Sequence, residues 1–289
     1  NVITKFYLKN KAYHIIKDNI SQNTTQHLKM TNIDSLIILD VNGLFFRSFY
    51  ALPKDKFTHD GKSTNALYGL TKTIKSLPKQ LKLKDNFAIV GALDSQTKNL
   101  ERTKECPEYK IDRPEAPNEL KEQFQHLRSL LEAYGVNCVK NDGYEADDVI
   151  ASICAQNKDK KCYVVSVDKD MMQLLDMEHV SIFNPIKKIN IDRDYVIEKY
   201  GITPEKFTLY QAIVGDAVDN IKGIYRVGPK TAIKIINDNY KPEILEQNKE
   251  LIDKNMKLVT LNRELYIKNE FASSNFSKCK EFNQQFGIK

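Results

Sequence analysis

Short apolar runs alternate along the chain with stretches of helical spacing, and the runs end on acids. Leu36-Ile37-Ile38-Leu39 leads into Asp40, residues 87–93 lead into Asp94, and residues 162–167 lead into Asp168-Lys169-Asp170. Continuous apolar runs of this length read as strands buried on both faces, as in a parallel sheet. Between the first two, residues 64–77 place Leu67, Leu70 and Ile74 on one helical stripe. A helix from Asn118 to Tyr134 aligns Leu120, Phe124, Leu127, Leu131 and Tyr134, with Gly135 as its stop. A short strand at 136–139 precedes Gly143-Tyr144-Glu145-Ala146-Asp147-Asp148, and residues 149–154 continue that cluster as a buried helix. Helices are further expected at 192–200, at 204–214 with Thr203 as N-cap and Pro204 at N1, at 242–253 and at 254–269. This alternation predicts an α/β fold with a central, mostly parallel sheet flanked by helices, whose ligands bind at the C-terminal strand edge.

The acids crowd. Glu145, Asp147 and Asp148 put three carboxylates into four residues. At ~4 Å and an effective dielectric near 20, each like-charged pair costs about 4 kcal/mol, so the cluster must be solvated, protonated or neutralised by cations. A helix's first turn also favours acids, and these residues alone leave both readings open. Helical spacing puts Glu145 and Asp148 on one face and turns Asp147 about 100° from Asp148. Asp168 and Asp170 point the same way if that segment is extended.

Two basic stretches complete the pattern. Residues 98–115 interleave Lys98, Arg102, Lys104, Lys110 and Arg113 with acids and Tyr109, a composition that fits either a solvated surface or a lid. Gly215-Asp216-Ala217-Val218-Asp219-Asn220 adds two more acids, and residues 222–234 then carry Lys222, Arg226, Lys230 and Lys234 with no acid. A glycine-rich turn entering a Pro-started helix offers backbone N–H groups at a positive helix end, suited to phosphate; the bland alternative is a surface helical hairpin.

Composition adds little to this. The 289 residues carry a net charge of +6, of which residues 1–33 supply +4, so bulk charge argues only weakly for nucleic acid. The five cysteines form no C-x-x-C, and reduced thiols are expected. No apolar run approaches a membrane span, so a soluble protein is expected. Residues 1–33 read as a weakly ordered basic extension, either an organelle transit remnant (plastid or mitochondrion) or a flexible arm, the alternative location being a bacterial cytoplasm or nucleoid. The first residue is Asn, which fits a processed form or part of a longer chain.

Seven blocks, in order, resemble the 5′→3′ exonuclease (flap endonuclease) family, and within it the N-terminal domain of bacterial DNA polymerase I and its stand-alone relatives. They are Leu39-Asp40…Arg47, Thr64-Asn65-Ala66-Leu67-Tyr68-Gly69, Asp94, Tyr109-Lys110…Arg113-Pro114, Glu145-Ala146-Asp147-Asp148, Asp168-Lys169-Asp170, and Gly215-Asp216…Asp219-Asn220 with Val227-Gly228-Pro229-Lys230-Thr231-Ala232. The resemblance implies a PIN-like 5′-nuclease fold in which residues 34–200 form the nuclease domain, with a helical arch at about 98–121. Residues 201–289 would form a helical DNA-binding subdomain carrying a helix-three-turn-helix hairpin at 215–237.

It further implies a Mg²⁺-dependent phosphodiesterase with two ions, Mn²⁺ substituting, acting on 5′ flaps, nicks and single-stranded 5′ ends, RNA–DNA hybrids among them. Asp40, Asp94, Glu145, Asp147 and Asp148 would surround the first ion, and Asp168, Asp170, Asp216 and Asp219 the second. Lys110 and Arg113 would steer and polarise the scissile phosphate, with Tyr109 stacking on a base and Arg47 touching phosphate. Gly223, Arg226, Gly228, Lys230 and Thr231 would grip duplex backbone, and the hairpin would hold a K⁺ ion. Lys222 stands where the pattern carries Pro, and Arg226 where it carries Gly. A monomer is implied, with a polymerase and a ligase acting in trans. The rival readings are a PIN-like metal-dependent ribonuclease, which would not need the hairpin, and a non-catalytic junction-binding module, which would not need the acids.

Overall fold

The computed structural model describes residues 33–95, 100–238, 240–274, 276 and 278–288. The expected extension, apart from Ile33, lies outside the described residues; Ile33 itself is buried in the core.

Strand β1 (Ser35–Asp40) is buried along its whole length and sits in the middle of a six-stranded sheet. Helix α1 (Val41–Ala51) leaves its end directly, and α2 (Asn65–Gln80) returns to β2 (Phe87–Ala92). After α3 (Glu101–Glu105), α4 (Asn118–Phe124) and α5 (Leu127–Ala133) comes β3 (Asn137–Val139). Helix α6 (Ala146–Gln156) then crosses to β4 (Lys161–Val165), followed by a 3₁₀ helix, Lys169–Asp176, and by β5 (Val180–Asn184) and β6 (Ile189–Ile191). The sheet order is β3-β2-β1-β4-β5-β6, parallel throughout except for the β5–β6 pair. The expected fold class is therefore observed.

Alternation along β1 explains the two-sided burial. Leu36 and Ile38 pack with Val149, Ile150 and Ile153 of α6, whereas Ile37 and Leu39 pack with Phe45, Phe49, Leu70 and Ile74 of α1 and α2. Each fully buried aliphatic side chain stabilises the fold by about 1.5–3 kcal/mol, which ties β1 to both layers at once.

A third cluster gathers α8 (Phe207–Val214), α9 (Pro229–Asp238) and α11 (Lys249–Val259) around Ala212, Ile213, Ile224, Ala232, Ile252 and Leu258; α7 (Arg193–Tyr200) and α10 (Glu243–Gln247) precede α8 and α11. Cys106 and Tyr109, from the basic stretch after β2, are buried in this same cluster. The last helix, α12 (Cys279–Gln285), packs against α5 through Phe282 and Phe286.

Several expected elements differ. The single helix expected over 118–134 is two, because the Gln123 side chain is drawn inward: its Oε1 accepts from the N–H groups of Ala66 and Leu67 at 2.9 and 3.3 Å, and its Nε2 donates to Asn65 Oδ1 at 3.0 Å. Gln123 thus caps α2, and the chain relaxes through a tighter turn at 125–126 before α5 begins. The helix expected over 254–269 ends at Val259; beyond it Leu261, Leu265 and Ile267 are pinned in the core as non-helical backbone, with Ser152 and Gln173 bonding to it. The helices expected over 242–253 and 204–214 likewise divide: the first into α10 and α11, the second into a 3₁₀ turn, Pro204–Lys206, and α8, and Thr203 makes no side-chain cap. Strands β5 and β6 went unread because their apolar runs are broken by Ser181 and Asn190.

Candidate active site

Asp40 is the end of β1 and the N-cap of α1. Its Oδ1 accepts from Gly43 N at 2.9 Å, and its Oδ2 accepts from Ser166 Oγ at 2.9 Å. Asp94, just beyond β2, accepts from Ala146 N at 2.9 Å and so fixes the first turn of α6. Asp168 caps the 3₁₀ helix after β4 and accepts from Asp170 N at 2.9 Å; this segment is helical rather than extended, so the two acids are not aligned by strand spacing. Asp170 is instead aimed by Gln211, whose Nε2 donates to it at 2.6 Å from α8. Asp216 and Asp219 lie on a small antiparallel hairpin, Gly215–Asp216 with Ile221–Lys222, and Asp216 pairs with Lys169 at 2.9 Å.

The first turn of α6 divides its acids as the helical spacing requires. Asp147 faces the acids of the strand ends, while Glu145 and Asp148 share Arg102. That guanidinium grips both oxygens of Asp148, donates to Glu145 Oε2 at 3.0 Å, and donates to the carbonyls of Leu258 and Thr260 at 2.7 and 3.1 Å. Asp148 also accepts from Asn262 N at 2.8 Å, and it is 1% exposed. Its oxygens are thereby committed away from the other acids. Arg102→Met is expected to cost about 3–5 kcal/mol, because it strands a buried carboxylate; urea unfolding checks this.

Burial first, and then repulsion from neighbouring acids, raises Asp40, Asp147 and Asp170. Asp40 is pushed up to about 6, with Asp94 and Asp168 contributing. Asp170 is pushed up to about 7, with Asp168, Asp216 and Asp219 contributing. Asp147 is raised by burial and by Asp40 and Asp168. Burial also pulls Glu145 upward, but Lys110 and Arg102 outweigh it and hold Glu145 below the usual range. A carboxyl raised in the folded state binds its proton more tightly there than in the unfolded chain. Without divalent cations, folding stability is therefore expected to fall as pH climbs from about 4 to about 7 and to return on acidification, measurable as melting temperature against pH.

The stretch after α3 lies against this cluster. Lys110 is paired with Glu145 and lies 3.5 Å from Asp219, and Arg113 reaches Asp219 at 2.7 Å. Tyr109 is 5% exposed and donates from its hydroxyl to Glu145 at 2.8 Å, so its ring is not open to a base, contrary to expectation. Lys110 adopts φ +56°, a strained backbone that its contacts hold in place. Arg47 is exposed on α1, and Gly228 and Lys230 are exposed at the start of α9. Sequence reasoning missed Ser166, Gln211, Lys169 and the role of Arg102. Only Lys169, flanked by two acids, carried a signal.

Among the described residues, no three His, Cys, Asp or Glu side chains converge into a ready cation cage. The donor set is nevertheless all oxygen, and Asp40, Asp147 and Asp170 are each repelled by Asp168, which fits a hard divalent cation.

Comparison with known proteins decides the family. Residues 35–201 match the model of the 5′-3′ exonuclease N-terminal resolvase-like domain. A 5′-3′ exonuclease of Aquifex aeolicus is 37% identical over 247 residues, covering 81% of this chain and 83% of that protein. The chain belongs to the 5′-3′ exonuclease family. It is an enzyme, a nuclease of the 5′-3′ exonuclease and flap endonuclease type. DNA polymerase I of Mycobacterium bovis is 37% identical over 209 residues, 70% of this chain, but the match spans only 23% of the polymerase. Among solved structures, the bacteriophage T5 D15 flap endonuclease in complex with DNA and metal ions is 25% identical, with a TM-score of 0.61 over 79% of this chain and 89% of that one.

Proposed function

We propose that this family member is a Mg²⁺-dependent, structure-specific nuclease that hydrolyses phosphodiesters near 5′ ends and flaps of DNA, RNA primers included. One observation carries the reading: Asp40, Asp147 and Asp170 stand raised by burial and by their shared neighbour Asp168 at the sheet's C-terminal edge, with Lys110 and Arg113 at its rim. Asp40, Asp94, Glu145 and Asp147 would hold one ion and Asp168, Asp170, Asp216 and Asp219 the second; Asp148 acts through Arg102. When bound, the ions supply charge neutralisation and an activated water. Ser166 and Gly43 orient Asp40, and Gln211 orients Asp170. Lys110 and Arg113, now paired with Glu145 and Asp219, would hand part of that pairing to the scissile phosphate and stabilise its charge.

Residues 98–121 would serve as the arch, and residues 201–289 as the duplex-binding subdomain through Gly223, Gly228, Lys230 and Thr231. A K⁺ ion in the hairpin belongs to the same reading, beside the two cations Lys222 and Arg226. The enzyme would work as a monomer, alongside a polymerase and a ligase. Cleavage of a 5′-flapped duplex, a nicked duplex, single-stranded DNA and single-stranded RNA, compared at equal concentration, tests the substrate class. Flap cleavage should be fastest; a faster rate on single-stranded RNA would replace this reading with a ribonuclease.

A further inference from the structure

Lys110 reaches the acids from a backbone with little support of its own. Its φ of +56° lies in the left-handed region, which is uncommon for a lysine. Residues 106–113 lie in no helix or strand, and three short turns run through them: Tyr109 N donates to Cys106 O at 3.0 Å, Ile111 N to Glu108 O at 3.3 Å, and Arg113 N to Lys110 O at 3.2 Å. Glu108, Ile111, Asp112 and Arg113 are exposed, so packing secures only Cys106 and Tyr109.

The missing support comes from the acid hairpin. Its loop, 217–220, joins the strands Gly215–Asp216 and Ile221–Lys222 and docks on the turn that carries Lys110. Lys110 N donates to Asp219 O at 3.1 Å, and Asn220 Nδ2 donates to Glu108 O at 3.0 Å. Glu108 O also closes the turn with Ile111 N, so the Asn220 side chain braces the turn whose third residue is Lys110. Asn220 itself stands at φ +59°, where asparagine sits more readily than most side chains. The backbone bond is open to any residue at position 219, whereas the brace needs a short side chain that can donate and can tolerate positive φ. Among the described residues, the Asn220 carboxamide bonds to no acid side chain.

We infer that Asn220 is a positioning residue for Lys110: by bracing Glu108 O it seats the Lys110 ammonium beside Glu145 and Asp219, and so ties the phosphate-steering cation to the hairpin that bears Asp216 and Asp219. The inference rests on the reading that Lys110 stabilises charge on the scissile phosphate, and it adds the residue that puts Lys110 there. A cation that must leave its pair for phosphate acts fastest when its backbone is already in place.

Asn220→Gly and Asn220→Asp both remove the donor and still accept a positive φ, so they test the brace on the full chain without straining the loop. Cys106, 4% exposed at the start of the segment, reports whether the segment stays seated. Its alkylation by N-ethylmaleimide, followed by peptide mass spectrometry, should be several-fold faster in both variants than in the parent. Flap cleavage in Mg²⁺ should lose about tenfold in kcat with KM within about twofold of the parent, and adding Asn220→Gly to Lys110→Ala should cost nothing further. The rise in melting temperature on adding Mg²⁺ should match the parent's, because the hairpin acids keep their places. Parental alkylation and parental kcat would overturn the inference. So would a full additional loss in the Lys110→Ala background or a lost response to Mg²⁺, either of which would place the effect of Asn220 in the hairpin acids. Absence of cleavage by the parent would instead overturn the nuclease reading, on which the alkylation result does not depend.

Discussion

Asp147→Asn is expected to lower the rate of flap cleavage by about 10³-fold or more while raising the melting temperature of the metal-free protein. The two effects have one cause. Asp147 is raised by burial and then by Asp40 and Asp168, so an ionised carboxylate there works against folding and is retained for what it binds. The neutral amide removes the repulsion and, with it, a charged oxygen ligand. Calorimetric melting with and without Mg²⁺, beside single-turnover cleavage, checks both halves: metal should stabilise the parent more than the variant. Asp148→Asn should behave oppositely in stability, because its partner Arg102 would lose a buried bidentate carboxylate.

Gly43→Ala should reduce cleavage by about 10²-fold at little cost in stability. A Cβ at Gly43 would stand 2.3 Å from Asp40 Oδ2, so the carboxylate must turn away and lose its bonds from Gly43 N and Ser166 Oγ. What moves is the end of a side chain, and replacing a helical glycine by alanine returns up to about 1 kcal/mol of helix propensity. Circular dichroism melting should therefore change little, in contrast with the rate. An unchanged rate would mean that Asp40 does not need this orientation.

Much of this site was legible because strand ends announce themselves. Apolar runs closing on Asp40, Asp94 and Asp168 marked both the parallel sheet and the edge at which the acids meet, and the i, i+3 relation of Glu145 and Asp148 placed them on one face, though not their shared partner, Arg102. What stayed hidden was set by distant contacts. Nothing local to 118–134 says that Gln123 will cap another helix, and nothing local to Tyr109 says that its ring will be buried among residues of α8 and α11. The segment 168–170 reads as extended until Gln211 is seen to aim Asp170 from a separate helix and Lys169 to pair with Asp216 on the hairpin.

Carboxylates that hold divalent metal for hydrolysis at a 5′ end are tested most directly by single-turnover cleavage of a 5′-labelled flapped duplex by the parent and by Asp168→Ala, each in Mg²⁺ and in EDTA. The prediction is release of the labelled flap by the parent in Mg²⁺ alone. Equal cleavage in EDTA, equal cleavage by Asp168→Ala, or no cleavage of the flap in Mg²⁺ would contradict it.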